Sequence, residues 1–139
     1  MTTLAEIMTR DVVKLEEWEN LLDVARDMNR YHLRHLPVVD GKKLVGLVSH
    51  RDLLRFASSQ LDPQALSGAH DQSVGENTFV RNVMTRQVQT ATPSTTVSQA
   101  ARLLIDHRFG CLPVIENDEL VGIVTEHDLL GVLARDPAS

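Results

Sequence analysis

The 139-residue chain has one cysteine, five aromatic residues and no long apolar run, and these shortages exclude several classes of protein. A single thiol cannot close a disulfide within the chain or build a cysteine-rich zinc site, and it suits a reducing cytoplasm. The longest apolar run, 129–134, is far shorter than the roughly 20 residues that span a bilayer. Residues 2–11 lack the basic start and apolar stretch of a secretory signal. We expect a cytoplasmic protein that does not span a membrane.

Positive charge is also in short supply. The chain has 14 Lys and Arg against 19 Asp and Glu, a formal charge of −5, so a nucleic-acid backbone is an unlikely partner. The deficit is uneven, with −1 in residues 1–69 and −4 in residues 70–139. Hydrophobic residues make up 42%, which is typical of a globular chain and excludes a disordered one.

The sequence consists largely of two copies of one repeat. Met8-Thr9-Arg10 returns 76 positions later as Met84-Thr85-Arg86, and the same offset carries 36–38 (LPV), 44–46 (LVG) and 52–54 (DLL) onto second copies. Over 8–57 against 84–133, 16 of 50 positions are identical without a gap. We predict repeats at 4–57 and 79–134, joined by a Ser-, Gly- and Asp-rich linker at 58–78. Because either half alone is small for a stable core, the two should pack about a pseudo-twofold axis.

Each repeat reads as the same series of elements. Apolar residues at helical spacing follow Asn20 and Thr96, both good N-caps, and predict a helix in each copy. Two short β-branched runs then predict a hairpin, at 36–39 and 44–48 in the first copy and at 112–115 and 120–124 in the second. A further helix should begin near Ser49 and near Thr125. With extended stretches near Val12 and Val88, each copy is β-α-β-β-α, and the fold class is α/β (α+β).

Two glycines lie inside predicted strands. Gly46 and Gly122 occupy equivalent positions in the second strand of each hairpin. A glycine within a strand indicates a bulge or the close approach of another backbone. We expect a bulge or a close backbone approach at both Gly46 and Gly122.

The block after each hairpin admits two interpretations. Ser49 and Thr125 each precede an aspartate by three residues, Asp52 and Asp128, at a strand-to-helix junction. The structural interpretation is a capping box, in which hydroxyl and carboxylate satisfy the first amides of the helix. The functional interpretation uses the same helix N-terminus to attract phosphate and the carboxylate to accept ribose hydroxyls. The motif alone does not decide between them.

These paired blocks, each preceded by Leu-Pro-Val and by an upstream Met-Thr, resemble a tandem of CBS (cystathionine β-synthase) domains. The resemblance covers roughly residues 4–57 and 80–134. It implies a Bateman module, a regulatory unit rather than an enzyme, whose clefts bind AMP, ADP, ATP or S-adenosylmethionine as a regulatory ligand. It also implies a homodimer and, for a standalone module, an effector protein in trans.

The resemblance assigns roles to particular residues. Asp52 and Asp128 match the ribose-binding aspartate, and Ser49 and Thr125 match the hydroxyl beside it. The base would be flanked by the segments of Val12 and Val88 and, on the other wall, by the pairs 36–37 (Leu36, Pro37) and 112–113 (Leu112, Pro113).

The two copies differ in the residues next to these aspartates. The first has His50-Arg51 where the second has Glu126-His127. We hypothesise that His50, Arg51 and His127 line the phosphate region and that Glu126 opposes polyphosphate, so that the pockets bind nucleotide unequally.

Other chemistry finds little support in the sequence. The six histidines do not fall at metal-ligand spacing with other donors, and we predict no specific metal site. Cys111 lies just before the second hairpin and is more plausible as a buried thiol than as a nucleophile. The alternative function is a structural or dimerisation module with degenerate pockets. A ligand outside the adenosine group, such as a metal or an anion, is a third possibility.

Overall fold

A computed structural model describes residues 1–59 and 78–135 of the chain. Both repeats contain helices and strands, and the mixed α/β class is confirmed. In chain order the elements are α1 (Leu4–Ile7), β1 (Leu15–Glu16), α2 (Leu21–Arg30), β2 (His35–Asp40), β3 (Lys43–Ser49), α3 (His50–Ser59), a 3-10 turn (Val80–Asn82), α4 (Val97–His107), β4 (Cys111–Glu116), β5 (Glu119–Thr125) and α5 (Glu126–Arg135). None of the helices in these ranges is long and apolar enough to cross a membrane.

The predicted helix starts are confirmed, because the signals that set them are local. The Asn20 side chain accepts from the amides of Leu22 and Asp23 and begins α2. Thr96 and Gln99 form a reciprocal capping box at the start of α4. Helices α3 and α5 begin one residue after Ser49 and Thr125, as the hairpin-to-helix junctions predicted.

Both hairpins form, and both are slightly longer than the apolar runs that predicted them. One sheet has the order β1-β2-β3, and β4 pairs with β5 in a second sheet. In the two-residue turn of the second hairpin, Asn117 and Asp118 have φ angles of 54° and 63°. Positive φ at both central residues suits the right-handed twist of the flanking strands.

The first strand of each repeat is not where the sequence placed it. Val12 and Val88 lie in irregular segments, and pairing occurs three residues further along. Leu15 pairs in parallel with Val38, and the equivalent Ala91 bridges Val114. The correction has a physical reason. Backbone bonds hold Thr9 to Ile123 and Thr85 to Leu47, and the chain bends at 10–11 and at 87 before it pairs again.

The described residues form two compact units that do not follow the repeats of the sequence. Unit 1 gathers residues within Met1–Val13, Lys42–Leu44 and Gln89–Ser139, and unit 2 those within Lys14–Gly41 and Val45–Val88. Each unit has its own apolar core. The core of unit 1 comprises Leu4, Met8, Ala91, Ala100, Leu104, Leu112, Val114, Val124 and Leu129. That of unit 2 comprises Leu15, Val24, Met28, Leu36, Val38, Val48, Val80 and Met84. The opening segment of each repeat thus packs in the core built mainly by the other repeat.

The two strand glycines are where these segments cross. A Cβ built on Gly46 would lie 2.7 Å from the Met84 sulfur and 3.0 Å from the Thr85 carbonyl oxygen. On Gly122 it would lie 2.6 Å from the Met8 sulfur and 3.1 Å from the Thr9 carbonyl oxygen. The predicted close approach of another backbone is therefore confirmed at both positions.

Cys111 lies at the start of β4 with 1% of its surface exposed. Burial raises the pKa of its thiol from 9.0 to about 12, because the thiolate would lose its hydration. The thiol is therefore neutral and inaccessible at physiological pH, which agrees with the predicted buried thiol and argues against a nucleophile.

We expect Gly46→Ala to lower the free energy of unfolding by about 1–3 kcal/mol, because the new methyl group must displace Met84 and meets a fixed carbonyl. Gly131→Ala is the matched control. Its Cβ would meet only the end of the Arg135 side chain, at 3.8 Å, and alanine favours a helix over glycine by up to about 1 kcal/mol. Urea unfolding of both variants measures the difference. Equal stabilities for Gly46→Ala and the wild type would contradict the crossing contact.

We expect the stability of the wild type to fall between pH 9 and pH 12 relative to that of Cys111→Ala. Below pH 9 the thiol is protonated in both states and contributes fully. Above pH 9 the unfolded chain releases the proton while the folded chain, with its pKa of about 12, retains it. The stability of the wild type minus that of Cys111→Ala should therefore be smaller at pH 10 than at pH 8, by roughly 1 kcal/mol. Parallel stability profiles for the two proteins across this range would show that the thiol titrates normally.

Candidate functional site

In unit 2, a buried carboxylate lies at the N-terminus of α3. The Ser49 amide donates to Asp52 Oδ2 at 2.8 Å, and the Asp52 amide donates back to Ser49 Oγ at 3.1 Å. A third donor comes from a distant segment, since Thr85 Oγ1 donates to Asp52 Oδ1 at 3.4 Å. Asp52 is only 7% exposed. The carboxylate thus accepts two hydrogen bonds, one from each of two segments, and these fix its orientation.

Unit 1 builds the same arrangement at the N-terminus of α5, with one difference. The amide and the hydroxyl of Thr125 both donate to Asp128 Oδ2, at 2.9 and 3.1 Å. The Asp128 amide donates to Thr125 Oγ1 at 3.3 Å. Within the described residues, Asp128 Oδ1 has no hydrogen-bond donor, and the residue is half-buried. One oxygen of this carboxylate is therefore open to an incoming donor.

The capping-box interpretation of both motifs is correct, and it does not displace the functional one. In each box Oδ2 takes the backbone amide, and the first turn of the helix is held at its N-terminus. A carboxylate oxygen can accept more than one hydrogen bond, so each aspartate keeps capacity for further donors. The motif therefore yields a rigid acceptor beside the positive end of a helix dipole.

The charged residues assigned to a phosphate region lie on the surface of the same helix turns. His50 and Arg51 open α3, and Glu126 and His127 open α5, all exposed. Arg55 was not singled out from the sequence. Its Nη1 lies 4.0 Å from Asp52 Oδ1. The i, i+3 spacing on a helix is the sequence signal that could have identified it.

The residues assigned to the base pocket are placed less uniformly. Val12 and Val88 are half-buried, Val12 in unit 1 with Asp128 and Val88 in unit 2 with Asp52. The strand residues Leu36, Pro37, Leu112 and Pro113 are buried, and the two leucines belong to the cores. Their assignment as a pocket wall stays a prediction.

Thr85 is a site residue whose role the sequence did not reveal. Met84-Thr85 was recognised as a repeated motif, yet the threonine lies 33 positions from the carboxylate that it contacts. Only its place on the crossing segment brings it there, through mutual backbone bonds with Leu47 of 2.9 and 2.8 Å. The equivalent Thr9 makes the same backbone pair with Ile123 in unit 1.

No group of three or more His, Cys, Asp or Glu side chains that could hold a metal occurs within residues 1–59 and 78–135. His70 lies outside those ranges. An open groove of about 680 Å³ runs along α4, lined by residues that include Ser98, Arg102 and Ile105. None of the residues assigned to ligand binding lines this groove.

Comparisons with known proteins identify the family of this chain. The family model described as CBS domain matches residues 4–59 and 80–135. Protein MJ1225 of Methanocaldococcus jannaschii is 36% identical over 132 residues, which cover 93% of this chain and 46% of that protein. Protein MJ1426 of the same organism is 31% identical, over 94% of this chain and 90% of its own length. The chain thus spans about half the length of the first of these relatives and most of the second.

A solved structure gives the same result in three dimensions. CBSX2, crystallised in complex with AMP, superposes with a TM-score of 0.80 at 27% identity, over 97% of this chain and 98% of its own. Two matched repeats, two relatives above 30% identity and this superposition show that the chain belongs to the CBS-domain family, as a pair of CBS domains.

Proposed function

We propose that the chain is a regulatory module that binds adenosine-containing nucleotides at Asp52 and at Asp128. The observation that carries the proposal is the pair of oriented carboxylates, each held by a capping box at a helix N-terminus. Membership of the CBS family and the AMP complex of CBSX2 support an adenosine ligand. AMP, ADP, ATP and S-adenosylmethionine are all candidates.

The proposed chemistry is that of a ribose clamp. The cis hydroxyls of a ribose are two donors at short spacing, and a carboxylate is a matching pair of acceptors. Because Oδ2 is held by a backbone amide in each box, the carboxylate loses little freedom when the ligand arrives. The amides and dipole at the start of α3 and α5 would favour a phosphate nearby.

The remaining assignments complete the proposed sites. Ser49 and Thr125 position the carboxylates, and Val12 and Val88 flank the base. The other wall of the base pocket is assigned to Leu36, Pro37, Leu112 and Pro113. His50, Arg51 and His127 are proposed to contact phosphate, with Glu126 opposing it.

The proposed output is regulation, without catalysis by this chain. A nucleotide can shift a conformational equilibrium only by the difference in its affinity for the two states, so the signal must be a change of arrangement that a partner detects. We propose a homodimer that acts on an effector protein in trans.

A structural module with unused pockets is the second candidate. It is favoured by one observation, that the capping boxes alone already account for both aspartates. In that case neither carboxylate would contact a ligand.

A thermal-shift panel separates the two candidates. We expect at least one of AMP, ADP, ATP, NAD and S-adenosylmethionine to stabilise the wild type, by about 2.7 kcal/mol at 100 times its Kd. Asp52→Ala and Asp128→Ala should each lose one site and the double variant should lose both, while far-UV circular dichroism checks that each folds. A full shift in the double variant, or none in the wild type, would favour the structural module.

We expect a dimer by light scattering at micromolar concentration. Three large apolar side chains on α3 and α5, Leu54, Leu130 and Leu133, are more than half exposed, and association would bury them. A monomer that persists at 100 µM would contradict the proposed homodimer while leaving the nucleotide sites untouched.

A further inference from the structure

The two sites share the residues that hold the carboxylate in place, and they differ in the charges around it. Glycine, Met-Thr, a hydroxyl residue and aspartate recur at all equivalent positions. Four neighbouring positions do not: His50 is replaced by Glu126, Arg51 by His127, Arg55 by Gly131 and Gln87 by Asp11. With histidine neutral, residues 50–55 carry a net charge of +1 and residues 126–131 a net charge of −2.

In unit 2 the added charges are cations that can reach a ligand. Arg55 Nη1 is 4.0 Å from Asp52 Oδ1, and its side chain is 71% exposed, so the guanidinium can turn toward a second anion nearby. Arg51 is exposed in the first turn of the same helix. Arg86, which follows Thr85 on the crossing segment, is not an added charge, since Arg10 is its counterpart, and it is engaged with the Arg81 carbonyl at 3.3 Å and with Glu17 at 3.8 Å.

In unit 1 the added charges are carboxylates. Glu126 is exposed in the first turn of α5, and Asp11 is exposed two residues after Thr9, whose backbone pairs with the strand that leads into the site. Gly131 leaves the position of Arg55 without a side chain. Arg10 does not distinguish the sites, because its Nη2 donates to the Ala5 carbonyl at 3.0 Å just as Arg86 Nη2 donates to the Arg81 carbonyl at 3.3 Å.

We propose that the two sites select ligands by the charge on the 5′ group of the adenosine. The Asp52 site takes a 5′-phosphorylated adenosine, and the Asp128 site takes one whose 5′ substituent is neutral or cationic, such as a thioether or a sulfonium. This inference rests on the proposed function, since it assumes that both carboxylates hold a ribose. It makes Arg55 and Gly131 specificity-determining positions.

The expected size follows from screened Coulomb interactions. The sites differ by three charges within two helix turns of the carboxylate, in water-exposed positions where each interaction is weak and reduced by salt. Together they should change the affinity ratio between a phosphate dianion and a neutral analogue by about tenfold at 0.15 M salt.

Calorimetric titration with AMP and with 5′-methylthioadenosine tests this, because the two share the nucleoside and differ in the 5′ charge. Asp128→Ala keeps only the Asp52 site, and Asp52→Ala keeps only the Asp128 site. The ratio of AMP affinity to thioether affinity should be about tenfold higher in Asp128→Ala than in Asp52→Ala. Raising the salt concentration to 0.5 M should shrink that difference. The same AMP-to-thioether ratio in both variants, or a reversed one, would overturn the inference.

A charge exchange at one position provides the second test. Gly131→Arg introduces the cation of unit 2 into unit 1, where a Cβ would meet only the end of the Arg135 side chain, at 3.8 Å. Gly131→Gln, similar in length and uncharged, is the matched control. In the Asp52→Ala background, we expect Gly131→Arg to raise the AMP-to-thioether affinity ratio of the Asp128 site by about twofold, one charge out of three, and Gly131→Gln to leave it unchanged. The same ratio in the two variants would overturn the inference. No binding of either ligand to the wild type would instead refute the proposed function.

Discussion

The fit of a methionine and the following backbone onto a strand glycine is the contact on which the rest of the structure depends. Met84 lies over Gly46 and Met8 over Gly122, each at a distance that leaves no room for a Cβ. Since each methionine also belongs to a core, this one contact joins the opening segment of a repeat to the sheet of the other repeat. It also delivers the next residue, a threonine, to the strand that leads into the candidate site.

The candidate sites reuse a device that the fold needs in any case. A capping box stabilises the start of a helix by about 1 kcal/mol. Here its carboxylate belongs to an aspartate that uses only Oδ2 for the backbone amide. The carboxylate is therefore oriented before any ligand arrives, and the cost of ordering it is met by folding. This explains why a motif with an adequate structural explanation can also be a binding site.

The sequence predicted what depends on neighbours along the chain. Asn20 and Thr96 predicted the starts of their helices, because capping is a contact over two or three residues. Gly46 and Gly122 predicted the close approach of another backbone, but the sequence did not show which residue approaches. Periodicity within a strand carries no information about a segment dozens of residues away. The bond from Thr85 to Asp52 and the shift of pairing from Val12 to Leu15 share that limit. The different burial of the two aspartates is a property of packing, which identical motifs cannot show.

A repeated chain separates the residues that hold a geometry from those that are free to vary. Substitution of Gly46, Met84 or Asp52 would disturb a core or a cap, and the same residue types recur in the second copy. Arg55 and its counterpart Gly131 are under no such constraint, because an exposed arginine with a 4.0 Å ion pair contributes little to stability. Folding therefore does not explain why the four variable positions differ in charge in one consistent direction. A ligand that carries charge beside the ribose does explain it, since at these positions charge is the property that such a ligand can detect.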